Sequence, residues 1–151
     1  MTPERDNATG MFPAEAVTPG VYNADTATTL VDLLGYHSAT ALIHIGVGGI
    51  VFSNANKLDV VMTAGNLADG SDQVPVTADD IVVDALAPAA IANGIVRSIV
   101  AAKAAADVQK VGYVGGKRFL RMLGDFSGAH ATGTPIAVTI SRTRASIRGV
   151  A

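Results

Sequence analysis

The chain has 151 residues, 49% of them apolar and 16% charged, which is enough apolar material for one packed domain and too much for disorder throughout. It contains no Cys, which excludes a disulfide framework and any thiolate metal site. The net charge of −2 is unevenly spread: residues 1–84 carry two basic and eleven acidic side chains, whereas residues 85–151 carry nine basic and two acidic ones.

In chain order, residues 1–20 hold Pro3, Gly10, Pro13, Pro19 and Gly20 with little periodicity, so residues 1–27 are expected to form an extended N-terminal arm. A single β-sandwich or jelly-roll-like domain is expected to follow over 28–151. Its first strand is expected over residues 28–34, closed by Gly35. A second runs over 39–45, with Ala41, Ile43 and Ile45 on one face and Leu42 and His44 on the other. Gly46-Val47-Gly48-Gly49 ends it in what reads as a hairpin loop. Residues 57–63 form a third strand, with Leu58, Val60 and Met62 on one face, and residues 66–72 a polar surface loop.

Thr77-Ala78-Asp79-Asp80 has the form of a helix start, with Thr77 as N-cap and acids in the first turn. Pro88 and Gly94 interrupt any long helix beyond it. Residues 95–100 have strand composition, and the alanine-rich stretch 101–106 predicts a short helix. Residues 108–114 and 117–123 read as two strands of a hairpin, Gly115-Gly116 supplying the positive φ angles of a tight turn. Strict alternation of Ile136, Val138 and Ile140 with Ala137 and Thr139 marks a last strand over 135–141, and a basic tail follows over 142–148. The fold class is therefore all-β.

The longest apolar run, residues 39–52, includes three glycines and falls short of the roughly 20 residues of a membrane-spanning helix. The first seven residues lack the pattern of a signal peptide, and a soluble protein is expected. The charge asymmetry has two readings. Either a dipolar molecule docks its ends on oppositely charged neighbours, or strands of both halves interleave and the charges mix.

The sequence carries no recognisable catalytic or ligand-binding motif. His37, His44 and His130 are far apart and form no metal-ligand spacing. The glycines at 46–49 and at 115–116 lack the rest of a dinucleotide or phosphate-loop fingerprint. Asp69 with Asp72, and Asp79 with Asp80, do not match a calcium loop. With no nucleophile elbow either, neither catalysis nor a cofactor or metal is expected. The cations Lys117, Arg118, Arg121, Arg142, Arg144 and Arg148 are the candidate partner-contact residues. No aromatic pattern accompanies them, so neither a specific nucleic acid nor a membrane is the expected partner.

Val111-Gly112-Tyr113-Val114-Gly115-Gly116-Lys117-Arg118-Phe119-Leu120-Arg121 resembles a segment of small structural proteins from tailed-phage and prophage morphogenesis clusters. Residues 33–40 followed by an apolar strand and a Gly-rich turn, and the closing strand with its basic end, agree with that pattern, which spans about residues 28–150. The alanine-rich stretch 84–106 departs from it. The resemblance implies a virion structural protein assembled in the host cytoplasm. Its leading version is a capsid decoration (cement) protein, dimeric or trimeric, that binds the major capsid protein. A head–tail connector or tail component is the alternative within that class, and a carbohydrate-binding sandwich the alternative outside it.

Overall fold

Alternating apolar residues become strands wherever both of their faces find a partner. The computed structural model describes residues 8–48 and 51–145. The described residues form ten strands: β1 (Met11–Tyr22), β2 (Val31–Asp32), β3 (Tyr36–Ile45), β4 (Lys57–Gly65), β5 (Val74–Pro75), β6 (Ile81–Val83), β7 (Ile95–Ile99), β8 (Asp107–Tyr113), β9 (Phe119–Ser127) and β10 (Thr134–Ala145). Among the described residues the only helical pieces are 3-10 turns at Ala8–Gly10 and Ala78–Asp80, and no helix is long and apolar enough to cross a membrane.

All pairings are antiparallel. One sheet has the order β1-β10-β3-β8-β6 and the other β2-β9-β4-β5, with β7 also pairing β4. Leaving aside the short β5 and β6, the pairs nest: β1 with β10, β2 with β9, β3 with β8, and β4 with β7. The two sheets are then β1-β10-β3-β8 and β2-β9-β4-β7, a long antiparallel ribbon rolled into a jelly roll. The all-β sandwich expected from the sequence is the fold.

The core lies between the sheets. Ala41, Ile43 and Ile45 of β3 and Ile136, Val138 and Ile140 of β10 meet Leu58, Val60 and Met62 of β4 and Leu120 and Met122 of β9, all nearly inaccessible. Each fully buried Ile or Leu contributes about 2 kcal/mol. Two polar links between β7 and β8 tie the sheets together. The Gln109 amide donates to the Val96 carbonyl (2.8 Å), and the Arg97 guanidinium donates to Asp107 (2.7 Å). Strands from the acidic and basic halves of the chain alternate in both sheets, so the charges mix.

Four expectations are corrected. Residues 11–22 of the expected arm form β1, paired along β10, with Ala16 and Val17 buried. Pro13 and Pro19 are tolerated there because β1 is an edge strand broken by two register shifts. The expected strand over 28–34 shrinks to Val31–Asp32, because the Tyr36 N–H closes a turn onto the Leu33 carbonyl. The alanine-rich stretch is irregular, not helical: Lys103 and Arg97 both bind Asp107 and hold the chain in an arch from β7 to β8. The expected hairpins are likewise replaced. At 115–116 the chain makes an arch between sheets, since β8 lies in one sheet and β9 in the other. β3 and β4, on either side of the expected loop at 46–49, also lie in different sheets, Gly49 itself being outside the described residues.

Candidate partner-contact surface

The arch from Tyr113 to Arg118 is built by local hydrogen bonds. The N–H groups of Val114 (2.8 Å) and Gly115 (3.1 Å) donate to the Asp80 carbonyl, and the Lys117 N–H donates to the Tyr113 hydroxyl at 2.9 Å. Gly115 and Gly116 do not adopt positive φ, contrary to the hairpin expectation. Gly115 is needed for another reason: a Cβ there would sit 2.6 Å from the Tyr113 hydroxyl, whereas one at Gly116 would meet nothing within 4 Å.

Arg118 leaves this arch toward Asp32 and binds it with two parallel bonds, Nε to Oδ1 at 2.8 Å and a terminal nitrogen to Oδ2 at 2.6 Å. Its guanidinium also lies 4.8 Å from the centre of the Phe119 ring. The Arg118 hydrogen bonds hold the Asp32 carboxyl below the usual carboxylate range against a smaller opposing effect of burial. Both side chains are about 40% exposed, so solvent screens the pair and its worth to stability is small.

Arg142 converges on the same place from β10. It donates to the carbonyls of Phe12 (3.2 Å) and Asp32 (3.1 Å) and lies 4.6 Å from the centre of the Tyr36 ring. Arg142 is therefore a clasp between β1, β2 and β10, with its donors turned inward.

Lys117 is exposed and makes no ion pair among the described residues, although its charge helps lower the carboxyls of Asp72 and Asp80. Arg121 stands apart, half-buried on β9 against Gly70, and also has no ion pair among the described residues. The side chain of Arg144 and the whole of Arg148 lie outside the described residues. Of the six expected contact cations, the structure thus brings Arg118 and Arg142 together on Asp32 and leaves Lys117 free at the rim.

The carboxylate pairs cap turns. Asp72 accepts the N–H groups of Asn66 (2.7 Å) and Leu67 (3.0 Å), Asp69 accepts the N–H and the hydroxyl of Ser71, and Asp80 closes a capping box with Thr77. These backbone bonds lower all three carboxyls. His37 and His44 are exposed, while His130 is buried with its ring near Phe52 and Phe126 and one nitrogen 2.8 Å from the Ser127 carbonyl. No group of three or more His, Asp or Glu among the described residues is placed to hold a metal.

Sequence reasoning missed Asp32 as the acceptor of Arg118, because 86 residues separate them. It also missed the nearly buried Arg97–Asp107–Lys103 cluster. There a signal existed, since Lys103 and Asp107 have the four-residue spacing of an ion pair. No family model matches the chain, and neither a curated protein nor a solved structure matches it.

Proposed function

We propose that this chain is a structural protein of a tailed-phage particle, a decoration protein that binds the major capsid protein shell and stabilises it. The observation that carries the reading is the resemblance of Val111–Arg121 to small phage morphogenesis proteins. The fold supports it as an analogy: jelly rolls serve as capsid domains, and also as lectin domains and cupins. A carbohydrate-binding reading needs an open aromatic platform. Tyr113 is buried with its hydroxyl bonded to the arch, and Tyr36 lies against Arg142 and Phe12. Among the described residues of the Val111–Arg121 segment, Lys117 is an exposed cation with no ion pair, free to meet a capsid carboxylate, and repeated lattice sites would turn modest affinity per copy into firm attachment.

The test is quantitative mass spectrometry of purified particles from a phage or prophage that encodes the chain. A copy number comparable to that of the major capsid protein is the expected result. A dozen or fewer copies would replace decoration by a connector or tail role, and absence from particles would overturn the virion reading.

A further inference from the structure

The two outer faces of the sandwich differ in kind. The outer face of the β9–β4 sheet carries Lys57, Asp59, Arg121 and Asp125. On the β1-β10-β3-β8-β6 sheet the outward residues are mostly uncharged: Pro13, Val21, Leu42, Val82, Val108 and Ala137 alternate with His44 and with the hydroxyls of Thr40, Thr139 and Ser141. Val21, Val82 and Val108 are 66%, 63% and 50% exposed. At one end the face dips into an open, largely apolar groove of about 610 Å³ between Val21, His44, Pro135 and Val108. An exposed apolar groove of this kind, at the end of an uncharged sheet face, marks an interaction surface.

Its few charges say which partner fits. Strand register sets Glu15 opposite Thr139, Thr139 opposite Leu42, and Leu42 opposite Lys110. Glu15 and Lys110 therefore end one straight row across four strands, about 14 Å apart at a strand spacing of about 4.8 Å. Both are exposed, and neither has an ion-pair partner among the described residues. The nearby Asp84 carboxylate accepts the backbone N–H of Lys110 (2.9 Å) and that of Leu86 (3.0 Å).

We infer that this face binds a second copy of the chain, about a two-fold axis parallel to the strands and midway between β10 and β3. That operation exchanges the two ends of the row, so Glu15 of each copy meets Lys110 of the other. It also sets Leu42 against Thr139 and Pro13 against Gly112. An axis along the row itself would set Glu15 on Glu15 and Lys110 on Lys110, which like-charge repulsion disfavours. An isologous pair needs one self-complementary patch, and this row supplies it. A face about four strands wide and ten residues tall covers on the order of 600 Å² before side-chain relief, near the roughly 800 Å² per partner of a standard interface.

The test is sedimentation velocity on the full chain up to about 100 µM, a concentration that detects even weak dimers. The wild type is expected to dimerise. Glu15→Lys and Lys110→Glu are each expected to weaken the dimer about 10-fold or more, since each reverses two contacts, and the double reversal to restore it to within about 3-fold. These side chains are exposed, so circular dichroism should show folded variants. Leu42→Asp should abolish the dimer. A monomeric wild type, a dimer indifferent to the single reversals, or a double reversal that fails to restore binding would each overturn the inference. None of these results depends on whether the chain is found in a phage particle.

Discussion

Replacing Asp107 by Asn tests the latch that holds the β7–β8 arch. Its Oδ2 accepts from Arg97 at 2.7 Å and from Lys103, and the two cationic side chains are only 9% and 11% exposed. Burial alone would raise the Asp107 carboxyl, but the bonds from Lys103 and Arg97 outweigh it and leave the group below the usual range. Asn keeps the shape and removes the charge, leaving two nearly buried cations beside each other. Breaking a buried pair costs about 3–5 kcal/mol, and the partial exposure of Asp107 puts Asp107→Asn near the lower end, about 3 kcal/mol. Arg97→Met is a gentler change, because Lys103 still neutralises the carboxylate; it should cost about 1 kcal/mol. At about 2–4 °C per kcal/mol for a chain of this size, Tm should fall by about 6–12 °C in the first variant and about 2–4 °C in the second. Urea and thermal unfolding followed by far-UV circular dichroism measure both. Because the folded carboxyl titrates below its unfolded value of 3.8, the latch contributes fully above that pH and fades as pH falls through the lower folded value. The wild-type advantage over Asp107→Asn should therefore shrink in acid. Equal losses in the two variants, or a larger loss for Arg97→Met, would refute the reasoning.

Two further outcomes are expected from the same unfolding assays. Gly115→Ala should destabilise by about 1–2 kcal/mol, since its Cβ would lie 2.6 Å from the Tyr113 hydroxyl, while Gly116→Ala should be nearly neutral in open space. Asp125 stands directly opposite Asp59 on β4, and its carboxyl is raised by burial and by the charges of Asp25 and Asp59. A raised carboxyl favours the fold below its unfolded value of 3.8 and loses that benefit as pH rises through the folded value. Asp125→Asn should accordingly stabilise the protein by about 0.5 kcal/mol at neutral pH and not in strong acid.

The inward-facing residues of β3, β4 and β10 were legible because a period of two is written in adjacent residues. Turn chemistry was legible for the same reason, as Thr77 with Asp80 shows. β1 was not: two prolines hide its strand character, and the strand that holds it in the sheet, β10, lies more than a hundred residues away. Arg118 and Arg142 could be recognised as cations, but whether they faced a partner or Asp32 depended on where β2 came to lie.

What the sequence by itself determined is the set of strands with a clean alternation, the all-β class, and the polar turns between them. Tertiary structure alone decided which strands pair. A Gly-Gly step serves a hairpin or an arch equally well, and the choice falls to the partners the two strands find, β3 for β8 and β4 for β9, in opposite sheets. It also decided the fate of the alanine-rich stretch, where a weak local preference for helix yields to an ion cluster between β7 and β8. Local propensity is worth tenths of a kcal/mol per residue, whereas pairing and burial act over whole strands.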